Sequence, residues 1–264
     1  MIQLHQGDCL KIMPDIPGGS VDAVVCDPPY GTTTCHWDSI VPLDAMWGQL
    51  KRIVKPNGAI VLFGSQPFTT TLISSNTELF KYCWVWEKSQ TTGFLNGWKM
   101  PLKATEDICV FCFNLSTYNP QLINKPIENR RPKSHRTKLS DCYGSLDLKK
   151  HRCPIDKSMP KTLIKFNNAQ NTVHPTQKPV PLLEYLIKTY TNEGETVLDF
   201  TMGSGTTAVA AINTNRNCIG IELNKKYFEI AKKRIADAEI DKQYDLFKED
   251  EKPKQKPFKQ KELF

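Results

Sequence analysis

Short unbroken apolar runs alternate along the chain with longer stretches in which apolar and polar residues recur at helical spacing. The runs at 2–4, 21–26, 58–63, 82–86, 107–113, 196–200 and 217–222 are too short for buried helices, and they predict strands covered on both faces. Between them, 43–55, 67–75, 180–191, 205–213 and 224–240 predict helices. Such alternation predicts an α/β, doubly wound, mostly parallel sheet whose ligands lie beyond the carboxyl ends of its strands. After Ala238 the apolar periodicity gives out, acids and bases alternate, and Pro253 and Pro257 follow. A disordered charged tail is therefore expected over 239–264.

Two strand ends carry candidate chemistry. The run 21–26 ends in Asp27-Pro28-Pro29-Tyr30. Proline has no N–H and a fixed φ, so the pair holds Asp27 and Tyr30 in set positions and leaves the neighbouring carbonyls free to accept. Asp27 and the Pro28 carbonyl can then take the two protons of a planar amine while Tyr30 stacks on its ring. The same four residues also read as a strand-terminating turn. The strand 196–200 runs into Met202-Gly203-Ser204-Gly205-Thr206, where the glycines allow a sharp turn and close approach of a ligand. Another strand ends at Glu222, a carboxylate suited to the two hydroxyls of a ribose. This second unit fits an adenosine-containing cofactor, and its Gly-x-Gly-x-x-Ala spacing also fits a nicotinamide dehydrogenase. That rival leaves Asp27-Pro28-Pro29-Tyr30 without a role, and only a helix and a charged tail follow its glycine unit.

With His174-Pro175-Thr176-Gln177-Lys178-Pro179 added, the chain resembles the amino-group DNA methyltransferases. The catalytic motif precedes the glycine loop, which resembles the beta class of that family from Ile2 to about Ala236. The resemblance implies a seven-stranded S-adenosylmethionine-dependent methyltransferase sheet with one antiparallel strand, at 107–113. It implies catalytic roles for Asp27, Pro28, Pro29 and Tyr30, and cofactor contacts at Asp8, Cys9, Lys178, Pro179, Asp199, Phe200, Gly203, Ser204, Gly205, Thr206 and Glu222. Where many relatives have Asp-Pro-Phe, this chain has Asp199-Phe200-Thr201-Met202, a different wall for the methionine pocket. By the same resemblance an aspartate heading the catalytic motif leans toward adenine, with cytosine's 4-amino group as the alternative. RNA and protein-amide substrates, and a non-catalytic DNA-binding protein on the same fold, are further alternatives.

Charge changes this picture by locating the substrate. Between Lys125 and Lys165 stand 12 Lys or Arg against 4 acids, a segment of +8 in a chain whose net charge is +7. That predicts a basic target-recognition insert at 115–172 for double-stranded DNA, with Arg130, Arg131, Lys133, Arg136, Lys149, Lys150 and Arg152 on phosphates or bases. It separates a catalytic half at 1–114 from a cofactor half at 173–238. The nine cysteines lie largely in apolar strands and predict reduced core thiols; Cys109 and Cys112 have metal-knuckle spacing without a second pair, so no metal is expected. A polar amino terminus and the lack of a long apolar run predict no signal peptide, no membrane span and a cytoplasmic protein acting on DNA. Finally, Gln243-Tyr244-Asp245-Leu246-Phe247 and Gln260-Lys261-Glu262-Leu263-Phe264 resemble the peptides by which bacterial replication and repair proteins dock on the sliding clamp. A tethered peptide of that kind implies the clamp as a further partner.

Overall fold

The computed structural model describes residues 1–31, 39–127, 153–170, 172–173 and 176–250, with 245–250 described by backbone alone. In chain order the elements are β1 (Ile2–Gln6), α1 (Cys9–Ile12), β2 (Val21–Cys26), α2 (Leu43–Ile53), β3 (Val54–Gly64), α3 (Phe68–Ser74), β4 (Phe80–Thr92) and β5 (Lys103–Cys112). They continue with β6 (Ile123–Asn124), β7 (Lys157–Ser158), β8 (Leu163–Phe166), α4 (Val180–Tyr190), β9 (Thr196–Asp199), α5 (Thr206–Asn213), β10 (Asn217–Glu222) and α6 (Lys225–Asp250).

The main sheet runs in the order β1-β10-β9-β2-β3-β5-β4-β8. β5 is antiparallel to both β3 and β4, and the other pairings are parallel, so the antiparallel strand falls where the resemblance implies. Alternate side chains of each central strand enter opposite cores. Ala23 and Val25 pack with Leu183, Leu186 and Ala211 from α4 and α5; Val24 and Cys26 pack with Met46, Leu50 and Leu72 from α2 and α3. Coverage on both faces explains why β2 is apolar at nearly every position. Its one charge, Asp22, accepts from Lys55 Nζ at 2.5 Å and from the Thr196 N–H at 2.9 Å.

Three expectations are corrected. The sheet has eight strands, because β8, from the segment expected to be the basic insert, pairs with β4 at the edge. Lys165 breaks its apolar run, and an edge position tolerates such a break. β4 extends well past residue 86, into polar residues that carry no strand periodicity. The helix expected at 224–240 continues to Asp250, so 239–250 belong to α6 and not to a disordered tail. Glu, Lys, Gln, Ala and Leu favour helix, no proline intervenes before Pro253, and Lys242 reaches back to the Ile212 carbonyl at the end of α5. Residues 251–264 lie outside the described residues. Among the described residues, no helix is long and apolar enough to cross a membrane.

Candidate active site

Four chain segments leave the carboxyl ends of β1, β2, β9 and β10 side by side. β9 and β2 are neighbours, yet α5 after β9 covers one face of the sheet and α2 after β2 covers the other. This divergence opens a cleft of the kind that binds ligands in doubly wound sheets. The resulting cavity of about 690 Å³ is lined by Asp8 and Cys9, Asp27 and Pro29, the 199–204 loop, and Glu222.

On the glycine-loop side, Asp8 caps α1 by accepting the Leu10 N–H at 3.0 Å. Cys9 lies beside it, its thiol pushed up to about 11 by burial and by the charge of Asp8. Glu222 accepts the Gly203 N–H at 2.8 Å and the Asn224 N–H at 2.6 Å. Burial raises its carboxyl, and these amide bonds oppose the rise. Asp199 accepts from Thr207 Oγ1 at 2.6 Å and the Thr201 N–H at 3.2 Å; burial pushes its carboxyl up to about 6. Phe200, Gly203, Ser204 and Thr206 also line the cavity.

Gly205 differs from its expected role. It does not line the cavity, and a β-carbon there would lie 3.0 Å from Ala231 Cβ and 3.2 Å from Ile235 Cδ1, so the close approach is between α5 and α6. Arg234 on α6 joins the site without a motif to announce it. It donates to the Ser204 carbonyl at 2.6 Å and to Ser204 Oγ at 2.8 Å, fixing the loop. Its sequence signal is a basic residue on the inward stripe of α6, between buried Ala231 and Ile235.

At the end of β2, Asp27 Oδ1 accepts from the Tyr30 hydroxyl at 2.6 Å, and Oδ2 accepts from the Lys178 ammonium. Burial raises the Asp27 carboxyl above its ordinary range, with Lys178 opposing. Thr201 donates to the Asp27 carbonyl at 3.1 Å and lies 2.9 Å from Cys26 Sγ, so the residue that departs from the family pattern ties the two strand ends together. The Tyr30 ring stacks on Phe68 with centroids 5.1 Å apart. Pro28, Tyr30 and Pro179 do not line the cavity; Asp27 and Pro29 do. Pro179 instead caps α4.

Lys178 lines the cavity as a cofactor contact would, but its ammonium is bound to Asp27 and stands 3.5 Å from Glu106 Oε2. Glu106 also pairs with Lys88 at 2.5 Å. Sequence patterning singles out neither Glu106 nor Lys88, since charges within strands β5 and β4 become a signal only once the strands are paired. One residue earlier, Gln177 accepts from Ser204 Oγ at 3.3 Å, so 177–178 touches both the glycine loop and Asp27. His174 and Pro175 lie outside the described residues.

Arg130, Arg131, Lys133, Arg136, Lys149, Lys150 and Arg152 also lie outside them, as does the peptide 260–264. The described flanks of the insert form the β6–β7 ribbon. Gln243 and Tyr244 fall within α6, which removes the flexible tether that a docking peptide there requires. The β4–β5 hairpin, at the carboxyl end of β4, exposes Phe94, Leu95 and Trp98, the last fully. Its signal is the turn cluster Gly93, Asn96-Gly97 and Pro101 set among large apolar residues. Among the described residues no three potential metal ligands cluster, and Cys109 and Cys112 are buried in β5.

The family described as DNA methylase, covering N6 and N4 amino methylation, matches residues 21–233. Type II methyltransferase M.HpaI of Haemophilus parainfluenzae is 26% identical, over 86% of this chain and 72% of its own. Type II methyltransferase M2.DpnII of Streptococcus pneumoniae is 28% identical over 89% of each chain. Among solved structures, the M1.HpyAVI–SAM complex aligns with TM-score 0.61 and 29% identity, over 89% of this chain and all of the other. The cytosine-N4-specific PvuII DNA methyltransferase, at 17% identity, shares the fold with TM-score 0.63 over 90% of this chain and 91% of its own. With a strand-end Asp27-Pro28-Pro29-Tyr30 and a glycine loop on one cavity, and a family match spanning most of its length, this chain belongs to the N6/N4 DNA methylases.

Proposed function

We propose that the chain is a site-specific DNA methyltransferase that acts on the 6-amino group of an adenine turned out of the duplex, with S-adenosylmethionine as methyl donor. The observation that carries this reading is that Asp27, already bonded to one N–H donor group, and the glycine loop open onto a single cavity. The residues present fit the donor. Glu222 offers carboxylate oxygens toward a ribose, Asp199 offers a charge opposite a cationic ligand, and Gly203 and Ser204 leave room at the loop. Likeness to M1.HpyAVI, solved as a complex with SAM, supports the same ligand. When bound, that ligand supplies an electrophilic methyl on a sulfonium, whose C–S electron pair leaves on sulfur.

The remaining chemistry belongs to the protein. An adenine amine is a weak nucleophile, because its lone pair is delocalised into the ring, and in a duplex it is hidden in the stack. Asp27 and the Pro28 carbonyl hold its two protons and turn the lone pair toward the methyl. Orientation and fixed charge supply most of the acceleration. Tyr30 orients Asp27 through its hydroxyl, and Phe68 stacks on one face of its ring. Asp27, its carboxyl raised by burial, accepts the proton released on transfer. Adenine is favoured because an aspartate heads the motif; the likeness of fold to a cytosine-N4 enzyme keeps cytosine as the second reading.

Methylation-sensitive long-read sequencing of DNA from cells expressing the chain tests both. A single modified adenine context is expected; modified cytosine selects the alternative, and an unmodified genome overturns the reading. Asp27→Ala should lower methyl transfer by about a thousandfold or more while calorimetric cofactor affinity stays within about twofold.

A further inference from the structure

Resting on the amine-methylation reading, we propose that Lys178 is a placeholder for the substrate amine: its ammonium fills the amine's place on Asp27 Oδ2 until a base enters, then retires onto Glu106 Oε2. An ammonium and an exocyclic amine make the same demand on a carboxylate, an N–H donor directed at one oxygen. Tyr30 bonds Oδ1 of Asp27 and Lys178 bonds Oδ2, so both oxygens already carry a donor and the one on Oδ2 is the group that resembles a substrate amine. An incoming base must displace that ammonium.

The structure provides the place to which it goes. Glu106 Oε2 is buried, lies 3.5 Å from Lys178 Nζ, and makes no hydrogen bond. Lys88 holds Glu106 at Oε1, leaving Oε2 free to receive a second cation. A buried carboxylate oxygen without a hydrogen bond is unfavourable, so moving the ammonium closer satisfies one acceptor as it vacates another. Phe63 and Tyr30 present ring faces to Lys178 at 5.1 and 6.0 Å, which stabilise the cation along this path. Among the described residues, the charges facing the site are Asp27, Asp199, Glu106, Lys88 and Lys178, with Tyr30 and Cys26 as neutral titratable neighbours. Among them Lys178 is the cation in contact with Asp27. Until substrate enters, that contact favours the ionised form of Asp27 against the effect of burial; retirement weakens it at the moment when Asp27 must accept a proton.

Infrared difference titration of the full chain without DNA or cofactor reads Asp27 directly. Wild type should show Asp27 ionised at neutral pH, whereas Lys178→Met should show a protonated carboxylic acid that disappears in Lys178→Met/Asp27→Asn. In steady-state assays on the duplex identified by sequencing, the acid limb of Lys178→Met should move up by about one pH unit or more. Glu106→Gln should raise KM for DNA about tenfold, the size of one charge-assisted hydrogen bond, leaving cofactor affinity unchanged. In the Lys178→Met background, Glu106→Gln should then have no further effect on KM at alkaline pH. An ionised Asp27 in folded Lys178→Met, or additive effects of the two substitutions, overturns the placeholder while wild-type methylation persists. An unmethylated genome would instead remove the amine itself, and the placeholder with it.

Discussion

Asp199 shows how one buried carboxyl links pH to ligand affinity. Burial raises its folded-state value to about 6, above the roughly 3.9 of an unfolded aspartate. Ionising it in the folded protein therefore costs stability as pH rises through that window, by about 3 kcal/mol at most. The charge so held faces the cavity and attracts a cationic ligand. Calorimetric affinity for S-adenosylmethionine should accordingly weaken as pH falls through about 6, and Asp199→Asn should flatten that dependence and lower affinity at neutral pH. An equally steep dependence in the variant would assign it to another group.

Elements act by deciding which residues the same local motif turns toward a ligand. Gly203 and Gly205 both have positive φ, at 53° and 80°, but Gly203 borders the cavity and Gly205 packs against α6. Gly205→Val should thus lower unfolding free energy by about 2–4 kcal/mol, combining backbone strain with a clash on Ala231. Gly203→Val should instead weaken cofactor binding with a smaller loss of stability. Thermal melts beside calorimetry separate the two; equal behaviour would mean that the loop is a single unit. The β4–β5 hairpin makes a second case. Exposed Phe94, Leu95 and Trp98 stand at the carboxyl edge of the sheet with Lys99 and Lys103 beside them. Apolar wedges of this kind enter the base stack of a bent or flipped duplex. Trp98→Ala together with Leu95→Ala should reduce duplex affinity about tenfold or more without changing thermal stability, and an unchanged affinity would place the duplex elsewhere.

Over the whole molecule, charge is divided along the chain between the segment from Lys125 to Lys165, at +8, and a near-neutral remainder. Counterion release makes duplex binding steeply salt-dependent, by roughly one slope unit per phosphate contact. Neutralising Arg130, Arg131, Lys133 and Arg136 together should flatten that slope by several units and leave cofactor affinity unchanged. A constant slope would show the insert to be free of phosphate contacts.

The sequence by itself determined the layers and the strand ends that are candidates for a site. Apolar runs buried on both faces, amphipathic spacing and the rigid Pro28-Pro29 pair are encoded within a few neighbouring residues, so most strands and helices, the strand end at Asp27 and the glycine loop were legible without a fold. The continuation of α6 past residue 240 was not, because mixed charges there leave no apolar stripe and read as a disordered tail. Only the tertiary structure decided the partners. Lys178 bonds a carboxylate 151 residues away, Thr201 reaches 174 residues back to the Asp27 carbonyl, and Glu106 meets Lys178 from another strand. The eighth strand likewise exists only because β4 offers an open edge. Side-chain pairing across such separations follows from strand order and register, which no local pattern specifies, and in this protein it is that pairing which sets a cation on Asp27.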